Sequence, residues 1–437
     1  MSSALDPHRG ISENAFTPGS AVEQKTPWLF VMIVLGSTTI NFIDRQTLSV
    51  LAPVLRDEFR LSNIDYAAII NCFQIAYLVM NSVGGRLSDV LGVRRGMTLF
   101  IVWWSFFSTL QAFIVGAKSL AMCRFSLALG EGGNWATAVK AVAERVPVRM
   151  RSVAVGIVNS GSSLGTALAP PLVGWLAITW GWRAAFFLAS LIGFFWVPVW
   201  LAATRGQRYQ KTQKPTEKSP PWSSIFRYRQ VWAIFLGRLI GDPVFFFYAF
   251  WLPEYLHRNR GLSLAAISAV AWIPFVAAAI GNVAGGAISD SLIRGGWTAN
   301  QARKTVMAIS ALGASVGIAA VCHTSLLTAI TAISLATSFY FCWAVNLHTL
   351  PVDFFPPSYV GTVFGFGGTG SGLGTLLVTA AVGITLDLTH SYTLVFIGIG
   401  LLLPVALVVV LLLAGKVQRL DIPAAATKVA QGGFSHR

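Results

Sequence analysis

The eleven residues from Gly156 to Thr166 read GIVNSGSSLGT, and 209 positions later Gly365 to Thr375 read GFGGTGSGLGT. The flanks keep the register: PVRMRSVAVG ends at Gly156 and PPSYVGTVFG at Gly365. A second pair, GGRLSDVLGVRR from Gly84 and GGAISDSLIRGG from Gly285, lies 201 positions apart. The larger later offset implies a longer link after Asp290, where SLIRGGWTANQARK is polar. A unit of roughly 200 residues that occurs twice must be one that packs against its own copy. Duplicated apolar units rich in helix-spaced glycine are what membrane transporters built from internal repeats look like.

The solvent of this chain is not water. Soluble proteins carry about 25% charged residues, whereas this one has 11% charged, 54% hydrophobic and 12% aromatic residues. A helix needs about 20 apolar residues to cross a bilayer, where every backbone polar group must be satisfied internally. Such stretches are expected at 28–52, 65–88, 97–117, 119–143, 152–175, 184–203, 231–256, 264–288, 305–322, 325–350, 360–382 and 392–414. The expected fold is therefore an all-α membrane protein with twelve transmembrane helices in two six-helix pseudo-symmetric halves. An even count per repeat inserts both copies in the same orientation, so their axis runs along the membrane normal.

The net charge of +15 raises nucleic acid as a partner, but the placement of the charges argues against it. Arg86, Arg94, Arg95, Lys140, Arg145, Arg149, Arg151, Arg294, Arg303, Lys304, Lys416 and Arg419 fall at span ends or links on one side, together with the cations of the link at 204–230. The opposite links hold fewer, among them Arg56, Arg60, Lys118, Arg183, Arg258 and Arg260. By the positive-inside rule both termini and the central linker are cytoplasmic. The expected organisation is a cytoplasmic tail at 1–27, a half at 28–203, a basic linker at 204–230, a second half at 231–415 and a tail at 416–437. The first 25 or so residues lack the apolar core of a signal peptide, so the first span is expected to remain as an uncleaved anchor. Cys72, Cys123, Cys322 and Cys342 all lie in apolar spans without CxxC spacing and read as inert buried thiols.

An ionisable side chain near the bilayer centre costs about 2.5–3.5 kcal/mol on insertion scales, so each needs a reason. Asp44 and Arg45 stand in span 1, Arg124 and Glu131 in span 4. Adjacent helical residues point about 100° apart, so Asp44 and Arg45 must each find a partner on another helix. Arg124 and Glu131 are seven apart and share a face, which should look inward toward span 1. Two carboxylates and two guanidiniums in one buried cluster are neutral when empty. An incoming organic anion needs a free arginine, and protonating a carboxylate releases one. Anion and proton binding are then linked, the minimal chemistry of symport. The bland alternative is a static ion-pair lattice that only orients helices.

Span 7 reads GRLIGDPVFFFYAFWLPEYL, and Asp242 followed by Pro243 suggests a helix restart with Asp242 as N-cap and proline at the first helical position. Arg238 precedes Asp242 by one turn, so a local pair is an equal reading. Tyr248 has a hydroxyl to offer a polar substrate, and His348 in span 10 either shuttles protons or packs. Asn159, Ser160 and Ser162, with Thr369 and Ser371, occupy the duplicated small-residue stretch. Its glycines read as close helix packing, its amide and hydroxyls as contacts for sugar or carboxylate. Asp89 ends span 2 on the side where span 11 begins. A carboxylate gains about 0.3–1 kcal/mol at a helix N-terminus, so Asp89 is expected to meet the start of span 11 near Gly361. Its repeat Asp290 should meet span 5 near Ser152, forming with Arg95 a cytoplasmic latch.

These features together resemble the major facilitator superfamily, GGRLSDVLGVRR being similar to its loop 2–3 signature. NFIDRQTLS, RFSLALGEGGNWATAVKAVAE, GSSLGTALAPPLVGWL, GWRAAF and DPVFFFYAFWLPEYL resemble the anion:cation symporters, nearest to the proton-driven hexuronate permeases that import glucuronate and galacturonate. The resemblance implies that Asp44 and Glu131 carry protons, Arg45 contacts the substrate carboxylate, Arg124 engages Glu131 or substrate, and Tyr77 contacts substrate. Phe42 stands where a tyrosine is common, removing one hydroxyl. The expectation is thus a monomeric bacterial inner-membrane symporter of a small organic anion, with protons as coupling ion and no other cofactor. Rivals are an exporter or exchanger of aromatic or phosphorylated anions and a non-transporting sensor. No intramembrane HExxH, no nucleophile with a base at helix spacing and no phosphate loop point to an enzyme.

Overall fold

The computed structural model describes residues 28–146, 151–205, 225–322 and 325–420, and these are overwhelmingly helical. We label the helices α1 (Trp28–Phe59), α2 (Asn63–Leu91), α3 (Val93–Leu110) and α4 (Ala117–Arg145). The stretch Arg151–Ala203 is α5 and α6, joined across Gly181 at φ +83°. Consecutive pieces make up α7 (Arg229–Gly241, Pro243–Arg258), α8 (Leu264–Val270, Ile273–Arg294) and α9 (Ala299–Ala314 and the short turns to Cys322). The last three are α10 (Leu326–Phe354), α11 (Pro357–Thr389) and α12 (Thr393–Ala414). Among the described residues, ten helices are long and apolar enough to cross a membrane, and one of these, Ala154–Ala203, is long enough for two passes. The missing pass is α4, whose 29 residues include Arg124 and Glu131. The residues that make α4 interesting chemically are the ones that lower its hydropathy.

Local signals set the helix ends. Ser62 and Asp65 form a reciprocal capping box at the start of α2, and Thr298 and Gln301 do the same for α9. His390, at φ +50°, terminates α11 in the left-handed cap position. Large apolar side chains such as Phe195, Leu388 and Leu412 point outward, as a surface bathed by hydrocarbon requires.

The duplicated glycines are packing devices. A Cβ at Gly161 would stand 2.9 Å from the carbonyl oxygen of Leu35, and one at Gly165 would strike that of Thr39. In the second copy, Gly370 and Gly374 meet the carbonyl oxygens of Phe235 and Leu239 in the same way. Each repeat thus lets α5 lie on α1, or α11 on α7, at backbone distance. The same holds for the other duplicated stretch: Gly84 lies against Gly133, and Gly285 against Cys342. Cys72, Cys123 and Cys342 are only half-buried and Cys322 is exposed, correcting the expectation of four buried thiols.

Among the described residues, the two halves meet at one end and part at the other. Where α1 turns into α2, Arg56 pairs with Glu254, Arg258 with Asp57, and Asp387 accepts from the backbone N–H groups of Asn63 (3.0 Å) and Ile64 (2.9 Å). The Tyr66 hydroxyl donates to the carbonyl of Phe250 at 2.7 Å, and Asn71 to that of Leu376 at 3.2 Å. Gly372 and Gly383 of α11 face Leu78 and Ala67 of α2. Further along that same helical face, toward the end that carries the linker, a Cβ at Gly361 or Gly365 would meet nothing within 4 Å. On α5, Gly174 packs against Ser268 of the other half while Gly156, five turns back on the same face, likewise meets nothing. Among the described residues, a gap therefore opens between the halves at the linker end.

Candidate functional site

Arg45 and Glu131 join α1 to α4. The guanidinium donates from Nε (3.1 Å) and Nη2 (2.9 Å) to one oxygen, Oε2, of the carboxylate. Asn41, one turn earlier on α1, holds Nη2 at 3.4 Å. Glu131, Arg124 and Asp44 are 1% exposed or less and Arg45 is 4% exposed, so all four charges are shielded from lipid. Burial of this depth makes a carboxylate–guanidinium pair expensive to break from one side only.

Aromatic rings enclose the arginine. The Arg45 guanidinium carbon lies 4.4 Å from the Tyr77 ring centroid, 4.6 Å from that of Phe42 and 5.0 Å from that of Phe73. Phe73 and Tyr77, one turn apart on α2, stack at 5.7 Å. Phe42 thus contributes a ring face in place of a hydroxyl. Phe73 also carries Arg124, whose guanidinium carbon sits 4.6 Å over it. Phe73 was not singled out by the sequence reading, although its spacing from Tyr77 places it on the same face.

Arg124 donates to the backbone carbonyl of Arg45 at 3.4 Å, and its Nε and Nη1 have no protein partner. Oε1 of Glu131 and Oδ2 of Asp44 are also buried and unpartnered. Asp44 points away from the pair, toward α3, where Ser108 donates to Oδ1 at 3.1 Å. The adjacent residues thus do take partners on different helices, as their 100° separation requires. The four charges are not one lattice, however: a tight Arg45–Glu131 pair is flanked by Arg124 on one side and by Asp44 behind it.

The remaining sequence candidates scatter. Asn159 is exposed on α5, and Ser162 spends its hydroxyl on the Asn159 carbonyl at 2.7 Å. On α11 Thr369 is half-buried, while Ser371 is buried and accepts at its carbonyl from Thr375 (2.9 Å). Tyr248 does not face the gap. It is buried in the C-terminal half between Phe247 and Phe396, with its hydroxyl against Gly317. Asp242 does not cap a helix either. Its own backbone is helical (φ −62°, ψ −32°), so α7 bends at Pro243 without unwinding, and its side chain goes to Arg238 (3.0 Å) and Tyr340 (3.1 Å).

Of the expected latch, only the Asp290 and Arg95 side chains are described. Asp290 is paired within its own half, to Arg303 at 3.5 Å, and its side chain is 63% exposed. Arg303 also binds Ser289 (3.1 Å) and Asp353 (3.3 Å). Arg95 is exposed. The Asp89 and Ser152 side chains, like residues 1–27, 206–224 and 421–437, lie outside the described residues. The opposite closure, Arg56 with Glu254 and Asp387 with α2, went unnoticed in the sequence.

Known proteins agree with this architecture. The family model of the Major Facilitator Superfamily matches residues 34–379. A hexuronate transporter of Escherichia coli K12 is 32% identical over 276 residues, which are 59% of this chain and 64% of the relative, so the match spans under two thirds of that protein. A hexuronate transporter of Bacillus subtilis is 30% identical over 79% of this chain and 84% of its own. Among solved structures, a D-xylose–proton symporter superimposes with TM-score 0.72 at 14% identity, covering 89% of this chain and 98% of that one. A family model that matches most of a chain made of two helical repeats shows that the chain belongs to the Major Facilitator Superfamily.

Proposed function

We propose that this chain is a proton-coupled symporter that imports a monoanionic sugar acid, a hexuronate being the best fit, by alternating access. One observation carries the reading: Arg45 spends two donors on a single oxygen of Glu131 inside an aromatic cage. A substrate carboxylate offers that guanidinium the same planar acceptor. The two carboxylates compete for Arg45, and protonating Glu131 settles the competition in favour of substrate. Proton and anion then bind together, and their coupling is reciprocal.

Asp44 is the second proton carrier in this reading, set behind the pair, and Arg124 keeps positive charge next to it. Tyr77 and Phe73 offer flat faces to the apolar side of a sugar ring. Asn159, Ser162, Thr369 and Ser371 complete the site from α5 and α11 as the halves rock. With the linker end cytoplasmic, the gap opens inward and the Arg56–Glu254 end closes toward the periplasm. Both walls belong to one chain, so a monomer in the bacterial inner membrane suffices, with both termini in the cytoplasm. The relatives named as hexuronate transporters, and a galacturonate transporter of Dickeya chrysanthemi at 29% identity, support the substrate class.

Uptake into proteoliposomes tests the reading. Labelled glucuronate should accumulate against its gradient when the lumen is made alkaline, and Glu131→Gln and Asp44→Asn should each abolish that accumulation. Uptake indifferent to the pH gradient would remove the proposal.

A further inference from the structure

Arg95 lines a groove on the N-terminal half. With Arg94 it stands in the first turn of α3, and the groove, of about 750 Å³, has Leu91, Leu99, Val102 and Leu201 as its apolar walls. Among the described residues, neither a carboxylate nor any side chain of the C-terminal half lines it. Arg95, Leu99, Val102 and Phe106 follow one another at helical spacing along a single face of α3, and all four are exposed. That face carries charge at its linker end and bare hydrocarbon for about 16 Å beyond it.

The two arginines are held differently. Arg94 is tied to α6, donating from Nε to the Thr204 hydroxyl at 3.1 Å and from Nη2 to the Leu201 carbonyl at 3.4 Å, which fixes its charge where α3 and α6 meet. Arg95 has no hydrogen bond or ion pair among the described residues. Thr98, which also lines the groove, spends its hydroxyl on the Arg94 carbonyl at 2.9 Å. The groove thus offers a ligand guanidinium at one end and hydrocarbon elsewhere. A sugar acid would leave its alcohols unpaired against those walls, whereas an amphiphile with an anionic head and an apolar tail is matched at both ends. Basic residues at the ends of spans lie at headgroup depth, so the arginines stand level with lipid phosphates while Leu99, Val102 and Phe106 run into the acyl layer.

We propose that this groove binds an anionic phospholipid, with its phosphate on Arg94 and Arg95 and one acyl chain along Leu99, Val102 and Leu201. Basic pockets between helices at a membrane surface select lipids by headgroup charge, and the chain adds apolar burial. The site is separate from the Arg45–Glu131 pair and independent of which anion the chain carries.

Native mass spectrometry of the full-length protein tests it, after equilibration in detergent with equal amounts of phosphatidylglycerol and phosphatidylcholine of the same chain length. The first lipid retained is expected to be phosphatidylglycerol, by about tenfold or more over phosphatidylcholine, as two arginines at the surface provide. Arg94→Gln combined with Arg95→Gln should bring that ratio near one. Leu99→Trp, which fills the groove and leaves both arginines, should lower the retention of phosphatidylglycerol about threefold or more. Glycerol 3-phosphate in large excess should leave the lipid bound. Thermal unfolding checks that each variant is folded; if the double variant is not, because Arg94 joins two helices, the exposed Arg95→Gln alone carries the test, with the ratio falling about fivefold. Equal retention of the two lipids by wild type, a preference that outlives the arginine substitutions, full retention in Leu99→Trp, or displacement by glycerol 3-phosphate, which would make this a site for a free anion, overturns the inference.

Discussion

Arg45→Lys is expected to raise the dissociation constant for glucuronate about 100-fold or more, since each charge-assisted hydrogen bond is worth about 1.5–3 kcal/mol and the substitution removes a two-donor fork. Lysine keeps the positive charge beside Glu131, so the protein should stay folded. Alanine would leave a buried carboxylate uncompensated at about 3–5 kcal/mol and would confuse binding with stability. Titration calorimetry, with thermal unfolding as the control for folding, reads the difference. A lysine variant that binds as wild type does would mean that the guanidinium orients helices and nothing more. The aromatic cage sharpens this expectation, because the faces of Phe42, Phe73 and Tyr77 fit a flat, weakly hydrated guanidinium better than an ammonium.

Glu254→Gln is expected to open the closed end, where α1 turns into α2. Glu254 is fully buried and accepts from both Arg56 and Arg258; its loss strands Arg56, which is also buried, at a cost of about 3–5 kcal/mol. That cost falls on the state seen here and is relieved when the halves part and water reaches Arg56. A shift of that size moves a two-state equilibrium by more than 100-fold. With the native cysteines replaced by serine, a cysteine at Ala67, which packs against Gly383 at this closure, should react with an impermeant maleimide at least tenfold faster in the glutamine variant. An unchanged rate would show that the pair does not hold the end shut.

The repeat was legible because it is written in small residues at fixed offsets, and its meaning is steric: Gly161 and Gly165 meet α1 as Gly370 and Gly374 meet α7. The partnering of Arg45 across helices was legible too, since a charge in an apolar span with its neighbour turned away must look elsewhere. The direction taken by Asp44 was not, because Ser108 on α3 carries no pattern of its own. Tyr248 misled for a related reason: a hydroxyl in a run of phenylalanines gives no sign of which side of the helix meets the core. The closure at the α1–α2 end was hidden by distance, Arg56 and Glu254 being 198 residues apart. Each sits near a helix end, where a charge reads as an ordinary solvated link.

Proton uptake on substrate binding bears on the central claim most directly. Glucuronate added to the purified protein in weakly buffered solution near neutral pH should draw protons from the medium. Its affinity should fall about tenfold per pH unit for each proton taken up, and in Glu131→Gln both the uptake and the slope should shrink. Glucuronate that binds tightly with no proton taken up, and with an affinity flat across that pH range, would contradict the exchange of carboxylates on Arg45.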